Sequence, residues 1–373
     1  MPEYQRIEEN EKAAKRNFFG FGCFRSGLNF AFMKTSFTFL MLFLGFISNA
    51  QTIKIVEQQI PAKASLRGLS AVSEQVAWAS GSGGIVLRTI DGGITWTDVS
   101  VPSADSIQFR DIEAFDATTA VVMGVASPAK FYRTEDGGTT WSEAYSNTHP
   151  DIFFDAMDFW DAQNGIAFGD AMEGHLPIIT TSDGGKTWQD IDYTQLPKSP
   201  KGEGGFAASG TCLTTFGNST VWIGLGSPAS RVFKSEDKGQ TWTVVETPMK
   251  RPNATPSAGI FSLAFTSPTY GIAVGGNYED DKNKSLNAAI TTDGGKTWKV
   301  LTQNQPNGYR SVVANVPNTE WWIVAGTSGV DISKDNGKTW ETVSEEGYHA
   351  ASFGSSKVGW LSGGGKIAKI MIE

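Results

Sequence analysis

The chain has 373 residues, of which 42 are glycine and 12 are tryptophan, and only 19% of its residues are charged. This composition is typical of a β-rich globular protein with many turns and argues against disorder over most of its length. The formal net charge of −8 argues against nucleic acids and anionic membranes as partners.

The first fifty residues have the features of an export leader. Lys34 supplies a positive charge, residues 35–47 form an uncharged apolar run, and Ser48 and Ala50 carry small side chains where a signal peptidase cleaves. The run is shorter than the about 20 apolar residues that span a bilayer, so we expect cleavage after Ala50 rather than an uncleaved anchor. The chain then has a misassigned start or long n-region (1–32), a signal peptide (33–50) and a mature domain (51–373).

The mature domain is expected in the periplasm or outside the cell. Without residues 1–50, 25 Lys and Arg remain against 35 Asp and Glu, a net charge of about −10. Cys23 is lost with the leader and Cys212 remains alone, so the mature chain can form no intramolecular disulfide.

One eight-residue pattern, Ser/Thr-x-Asp-x-Gly-x-Thr-Trp, occurs six times along the mature chain. Its aspartates are Asp91, Asp136, Asp183, Asp237, Asp293 and Asp335. Their spacings of 45, 47, 54, 56 and 42 residues suit one four-stranded propeller blade per repeat. The repeat therefore predicts a β-propeller that is one domain.

The chemistry of this pattern indicates a turn rather than a binding site. The aspartate can accept hydrogen bonds from backbone N–H groups further on, and glycine can take the positive φ that the reversal needs. The Thr-Trp pair then resumes a strand whose indole packs between blades. One carboxylate per turn cannot satisfy a calcium ion, so the six aspartates are predicted to be structural and not catalytic or metal-binding.

The strands of the first blade are predicted from short segments of alternating apolar and polar residues around its aspartate turn. Residues 65–73 are predicted as the inner strand, 76–84 as the second, 85–89 as the third and 95–101 as the fourth. Comparable segments recur in the later repeats. The aspartate turn then joins the third strand of each blade to the fourth.

The two ends of the chain complete the ring. After the sixth turn the C-terminus offers three strand-like segments but no fourth, while residues 52–60 form a strand with no blade of their own. Placing that strand at the outer edge of the last blade removes an open edge. The fold class predicted is all-β, a seven-bladed propeller of four-stranded antiparallel blades closed by its N-terminal strand.

The repeated T-x-DGG-x-TW phrase resembles the Asp-box or BNR repeats of sialidases, and it is more similar to the photosystem II stability/assembly factor-like propellers. The resemblance covers residues 52–373 and implies an exported scaffold that binds a protein. Sialidases have six blades and an F/Y-R-I-P motif on the first inner strand. Phe109-Arg110-Asp111-Ile112 is the nearest match here, without the proline and in the second blade.

Aligning the inner strands places seven residues at one equivalent position near the central channel. They are Arg67, Arg110, Asp155, Thr211, Phe261, Arg310 and His349. Because the ring closes, blades six, seven, one and two are neighbours, so the sequence predicts one basic arc of Arg67, Arg110, Arg310 and His349. Tyr309 and Tyr348 are its aromatic neighbours, and Asp155 lies at the equivalent position of the third blade.

The long insertions are predicted on the same face as the arc, opposite the aspartate turns. They are residues 170–177, 193–208, 246–259 and 276–287, in blades three to five. The ligand-binding residues predicted are Arg67, Arg110, Arg310, His349, Tyr309, Tyr348 and Asp155, which would hold an acidic protein segment or another anion.

Two alternatives remain open at this point. The arginines could pair with Asp111, Glu113, Asp155 or Asp158 and simply line a wet channel, or the site could be that of a sialidase-like or other glycoside hydrolase. His149, His175 and His349 form no spaced ligand set, so the sequence predicts no metal and no cofactor. The GGGK segment at 363–366 is predicted as a hairpin turn rather than a phosphate loop. A monomer is expected.

Overall fold

The computed structural model describes residues 52–249 and 256–373, and in this part of the chain seven four-stranded sheets form a ring. Adjacent inner strands pack side by side around the ring, including those of the last blade and the first. The fold is therefore the seven-bladed β-propeller that the repeat predicts. The predicted leader lies outside the described residues.

The N-terminal strand and the first three blades follow the chain in order. β1 is Ile53–Glu57. Blade 1 contains β2 (Leu66–Ala71), β3 (Ala77–Gly81), β4 (Val86–Thr89) and β5 (Thr97–Asp98). Blade 2 contains β6 (Phe109–Ala114), β7 (Ala120–Gly124), β8 (Ala129–Thr134) and β9 (Ser142–Asn147). Blade 3 contains β10 (Phe154–Phe159), β11 (Gly165–Gly169), β12 (Ile178–Thr181) and β13 (Gln189–Asp190).

The remaining four blades repeat this arrangement. Blade 4 contains β14 (Leu213–Phe216), β15 (Thr220–Gly224), β16 (Arg231–Ser235) and β17 (Thr243–Glu246). Blade 5 contains β18 (Ala258–Phe265), β19 (Gly271–Asn277), β20 (Ala288–Thr291) and β21 (Lys299–Val300). Blade 6 contains β22 (Val312–Asn315), β23 (Trp322–Gly326), β24 (Gly329–Ser333) and β25 (Glu341–Ser344). Blade 7 contains β26 (Ala350–Phe353), β27 (Val358–Ser362) and β28 (Ile367–Ile372), with β1 outside them.

Ring closure occurs where the sequence predicts it. β1 pairs antiparallel with β28, in a register that runs from Ile53 opposite Ile372 to Glu57 opposite Ala368. The GGGK segment is the turn between β27 and β28, where the Gly363 N–H donates to the Lys366 carbonyl at 3.0 Å. β28 is thus paired on both sides, and blade 7 has four strands like the other six.

The core lies between neighbouring blades, because both faces of each sheet are covered. Every residue of the second strands β3, β7 and β11 is buried, as expected for strands with neighbours on both sides. The turn tryptophans Trp96, Trp188 and Trp298 are 6%, 7% and 9% exposed, whereas their counterparts in the other three turns are half-buried. Trp188 of blade 3 packs edge-on against Phe131 of blade 2, with ring centroids 5.3 Å apart.

The six aspartate turns have one hydrogen-bond pattern. In the third, Asp183 accepts the Thr187 N–H at 3.0 Å and the Thr187 hydroxyl at 2.7 Å. The Thr181 hydroxyl donates to Asp183 at 2.8 Å and accepts the Gly185 N–H at 3.0 Å. The other five turns repeat these bonds. Every turn joins a third strand to a fourth, so the six turns share one face of the ring.

The inner strands have one unpaired edge facing the channel, and polar side chains of neighbouring blades satisfy it. Asp111 of blade 2 accepts the Met157 N–H of blade 3 at 2.8 Å, and Asp158 of blade 3 accepts the Thr215 N–H of blade 4 at 2.7 Å. Ser70, Ser262 and Ser352 act in the same way. Asp111 and Asp158 therefore bond to backbone and join adjacent blades, instead of pairing with the arginines.

Helices are nearly absent from the part of the chain that the structure describes. It has two short 3₁₀ turns, Tyr193–Gln195 and Tyr278–Asp280, both in long insertions. In residues 52–249 and 256–373, no helix is both long and apolar enough to cross a membrane.

Candidate functional site

The long insertions and the inner strands enclose a cavity of about 500 Å³ at one mouth of the channel. Of the seven residues aligned at one position, five line it: Arg67, Arg110, Asp155, Phe261 and His349. Tyr309 lines it as well. The cavity therefore brings together most of the predicted ligand-binding residues on the face opposite the aspartate turns.

Arg67 and Arg110 contribute the cavity's positive charge. Arg67 Nη1 donates to the Ala208 carbonyl at 3.3 Å, and Arg110 Nη1 donates to the Ala207 carbonyl at 3.0 Å. Within residues 52–249 and 256–373, neither guanidinium lies in ion-pair range of a carboxylate. Burial, and for Arg67 also the charge of Arg110, lowers the pKa of each arginine. An added anion would therefore stabilise the charged form of both arginines.

Two carboxyl groups, those of Asp155 and Asp170, share the floor of the cavity. The two carboxyl groups are close enough to interact, so a charge on one disfavours a charge on the other. Burial, and then the charge of Asp170, raises the pKa of Asp155 well above its ordinary value. Burial raises the pKa of Asp170 to about 6. Both shifts reduce the negative charge of the pair relative to two exposed carboxylates.

The connection between blades 3 and 4 closes over the channel mouth. Residues 202–208 supply the two carbonyls that hold the arginines, and the Gly205 N–H donates to Asp155 at 3.2 Å. A Cβ at Gly204 would lie 1.7 Å from Asp170 Oδ1, so only glycine allows this approach. The glycines of the GEGG segment were the sequence signal for this closure, and the role of Asp170 was not predicted.

An aromatic wall bounds the cavity on the side of blade 5. The Phe206 and Phe261 rings stack with centroids 3.6 Å apart, and Tyr309 meets Phe261 edge-on at 4.7 Å. Tyr278 is 50% exposed and extends the wall outward, with its centroid 6.5 Å from that of Tyr309. These rings offer an apolar surface beside the two guanidinium groups.

Arg310 does not belong to the basic arc, and the prediction is wrong for this residue. It is fully buried, and its guanidinium is paired with Asp331 through Nε at 2.8 Å and Nη2 at 2.7 Å. Its Nη1 donates to the Tyr309 carbonyl and the Ser328 hydroxyl. The carboxylate neutralises the charge inside blade 6, so Arg310 stabilises the fold and leaves the cavity to the other two arginines.

His349 and Tyr348 also differ from the prediction. His349 lines the cavity, but burial and the charges of Arg67 and Arg110 lower its pKa to about 4, so it is neutral near pH 7. Tyr348 is 3% exposed and does not line the cavity, since its ring lies under the Lys366 ammonium with Nζ 4.6 Å from the ring centroid. The basic arc is therefore reduced to two charged residues.

The arrangement does not match the carboxylate geometry of glycoside hydrolases. Glycoside hydrolases that use two carboxyl groups separate them by about 5–9.5 Å to fit the scissile bond or a water, whereas Asp155 and Asp170 lie close enough to share their titration. Sialidases instead use a tyrosine that faces a carboxylate. Burial raises the pKa of Tyr309, and no carboxylate is among the groups that shift it. Within the described ranges, no cluster of His, Cys, Asp and Glu side chains could hold a metal ion.

Sequence comparison finds two family matches. The family described as DUF6242 beta propeller domain matches residues 47–284, and the BNR/Asp-box repeat matches residues 289–300. No curated protein sequence matches the chain significantly.

Several solved propellers have the same fold at low sequence identity. A structure described as YCF48 bound to D1 peptide is 18% identical with a TM-score of 0.59, covering 86% of this chain and 95% of its own. YCF48 from Cyanidioschyzon merolae is 17% identical with a TM-score of 0.59, covering 85% and 98%. A streptogramin B lyase is 14% identical with a TM-score of 0.61, covering 87% and 98%.

Proposed function

This chain belongs to the DUF6242 β-propeller family, and we propose that it is an exported scaffold that binds an acidic segment of a protein at its channel mouth. The observation that carries the proposal is a pair of arginines, Arg67 and Arg110, that share one cavity without a carboxylate partner within hydrogen-bond reach. An arginine fork suits a carboxylate because it can donate two parallel hydrogen bonds. Partial burial of both groups strengthens such a bond relative to one at the surface.

A protein ligand is supported by the shape of the site. The cavity opens on the face that carries the long insertions, and its aromatic wall offers apolar contact beside the charged groups. Aromatic and arginine side chains at the centre of a concave surface are typical of protein recognition sites. A structurally similar propeller, YCF48, has been captured with a D1 peptide, which supports a peptide as the class of ligand.

Export is the second part of the proposal. It rests on the leader-like features of residues 33–50. The proposed location is the periplasm or the extracellular space. Detection of the protein in a periplasmic or culture fraction, with an N-terminus at Gln51, tests this part.

Binding can be tested with fluorescein-labelled hexaglutamate as the probe and fluorescence anisotropy as the measurement. The protein should bind this peptide and not hexalysine. The Arg67→Ala/Arg110→Ala double variant should bind it at least about tenfold more weakly, because each charge-assisted bond contributes about 1.5–3 kcal/mol.

The matched control is Arg88→Ala. Arg88 also donates its Nη1 to a backbone carbonyl of the next blade, that of Ala117 at 2.7 Å, but it lies near the aspartate turns. This variant should bind hexaglutamate as the parent protein does. Equal affinity of the parent and the double variant for hexaglutamate would remove the arginines from the site and overturn the proposal.

A further inference from the structure

The cavity at the channel mouth is the inner end of a longer groove. A middle cavity of about 540 Å³ shares Gly202 with it, and an outer cavity of about 290 Å³ shares Met172 and Glu173 with the middle one. The three cavities therefore adjoin one another across the face of blade 3 and together form the groove, which ends beside Asp190 of β13. Residues within 147–152, 171–178 and 200–202 line its middle and outer parts.

Backbone hydrogen bonds fix the walls of the groove. The Asp170 N–H donates to the Phe153 carbonyl at 2.9 Å, and the Ser199 N–H donates to the Gly174 carbonyl at 2.8 Å. Glu203 is buried and its carboxylate accepts from Arg231 Nε at 2.6 Å, which anchors the connection from blade 3 to blade 4. A preformed groove loses little entropy when an extended ligand enters it.

The outer cavity differs from the cavity at the mouth in being lined by carboxylates and aliphatic side chains instead of arginines. Its lining is mostly aliphatic, from Ile152, Met172, Leu176, Pro177, Ile178 and Ile191. Glu173 and Asp190 add two carboxylates. Glu173 and Gly174 are the central residues of a tight turn between Met172 and His175, with φ values of 52° and 85°, which fixes the backbone of Glu173 at the rim of the cavity. A hydrocarbon stem that ends in a cation fits this combination.

We infer that the groove binds an extended peptide whose acidic group lies at Arg67 and Arg110 and whose lysine or arginine side chain fills the outer cavity beside Glu173 and Asp190. This inference rests on the proposed function and specifies the partner's sequence. The aliphatic lining favours a peptide over a glycan, because a sugar would place hydroxyl groups against it.

The geometry of the blade sets a lower limit to the spacing between the two side chains. From the inner strand to the fourth strand of blade 3 the groove spans three inter-strand spacings of about 4.8 Å, or roughly 14 Å. Arg67 and Arg110 belong to the inner strands of blades 1 and 2, so the acidic side chain lies at or beyond the inner end of that path. An extended chain rises about 3.3 Å per residue, so the acidic and basic side chains are separated by about four residues or more.

The experiment is selection of phage-displayed random octapeptides on the purified protein. We expect enrichment of Asp or Glu at one position and of Lys or Arg at a fixed position about four or more residues away. The Glu173→Gln/Asp190→Asn variant should lose the basic enrichment and keep the acidic one, and Arg67→Ala/Arg110→Ala should lose the acidic one. Asp98→Asn, at the matched position of blade 1, should keep both.

A quantitative measurement follows on one selected peptide. Replacing its basic residue by norleucine should weaken binding to the parent protein on the order of five- to tenfold, and should leave binding to the Glu173→Gln/Asp190→Asn variant unchanged. Acidic enrichment without a basic partner position overturns this inference and leaves the proposed function in place. Absence of acidic enrichment overturns both, and a basic preference that survives in the Glu173→Gln/Asp190→Asn variant overturns the inference alone.

Discussion

The two faces of the propeller use the same residue types in opposite ways. On the face of the aspartate turns, each carboxylate accepts several hydrogen bonds from its own turn, and these bonds lower the pKa values of Asp91, Asp136 and Asp293. On the loop face, Asp155 and Asp170 contact each other and their pKa values are raised. Arg67 and Arg110 there have carbonyl partners but no carboxylate in contact.

This difference separates stabilising groups from binding groups. A charged group that is already stabilised by partners in its own turn is stabilised little further by a ligand. A half-buried charged group with unused hydrogen-bonding capacity can be stabilised much more. The repeat therefore maintains the fold on one face, and the departures from the repeat on the other face create the site.

The largest expected effect concerns Arg310, which is aligned with Arg67 and Arg110 but has a buried carboxylate partner, Asp331. Arg310→Ala should lower the free energy of unfolding by about 3–5 kcal/mol, because it leaves the buried Asp331 without its cation. Arg67→Ala should lower it by about 1 kcal/mol or less, since Arg67 is half-buried and donates one long hydrogen bond. Urea denaturation of both variants measures the difference, and equal losses would contradict the distinction between the two arginines.

An intermediate effect is expected from a turn aspartate. Hydrogen bonds from Thr187 and Thr181 lower the pKa of Asp183 to about 2 against the opposing effect of burial. Asp183→Asn should therefore cost about 1 kcal/mol of unfolding free energy at neutral pH, a value reduced for solvent exposure. The pKa in the folded state lies below the value of about 3.9 in the unfolded chain, so this stability is present above pH 4 and is lost as the pH falls toward 2.

Urea denaturation at pH 7 and pH 3 tests this sign, with Asp105→Asn as the control because Asp105 is an exposed loop aspartate. The difference in the free energy of unfolding between the parent protein and Asp183→Asn should be smaller at pH 3 than at pH 7. The difference between the parent and Asp105→Asn should stay near zero at both pH values. A larger difference at pH 3 would contradict the assignment. Hexaglutamate binding should not change in the Asp183→Asn variant.

The smallest expected effect is the pH dependence of binding at the mouth. Asp170 has a pKa of about 6, so raising the pH through 6 adds negative charge beside Arg67 and Arg110. Binding of hexaglutamate should weaken by about two- to fivefold between pH 5.5 and pH 7.5, a range in which the glutamate side chains of the peptide are mostly ionised. Asp170→Asn should flatten this profile, and a profile that is unchanged in this variant would assign the pH dependence to another group.

The repeat made the fold predictable, because each aspartate turn is encoded within eight residues and recurs six times. The prediction was less accurate at strand ends, since the fourth strand of blade 1, predicted as 95–101, is Thr97–Asp98. A strand ends where its hydrogen bonds to the neighbouring strand stop, and the sequence pattern alone does not show that point.

The site was predictable only where it lies on the repeat. Alignment of the inner strands placed Arg67, Arg110 and Asp155 together. The position of Asp170 depends on how an insertion folds back, and the insertion is not part of the repeated pattern. A signal for Arg310 was present and missed. Asp331 occupies the third-strand position two residues before the turn, where the other blades have Leu87, Tyr132, Ile179, Phe233 and Ala289.

The pairing of β1 with β28 has a consequence for biosynthesis. Ile53 and Ile372 lie 319 residues apart, so β1 has no partner until β28 has been synthesised. Contacts so distant in sequence form slowly. A chain cut short before residue 367 would leave β27 with an open edge and β1 without a partner, and open strand edges are sites for aggregation and proteolysis. The six-residue strand β28 thus acts as a check of completeness, because only a chain that contains it closes the last blade.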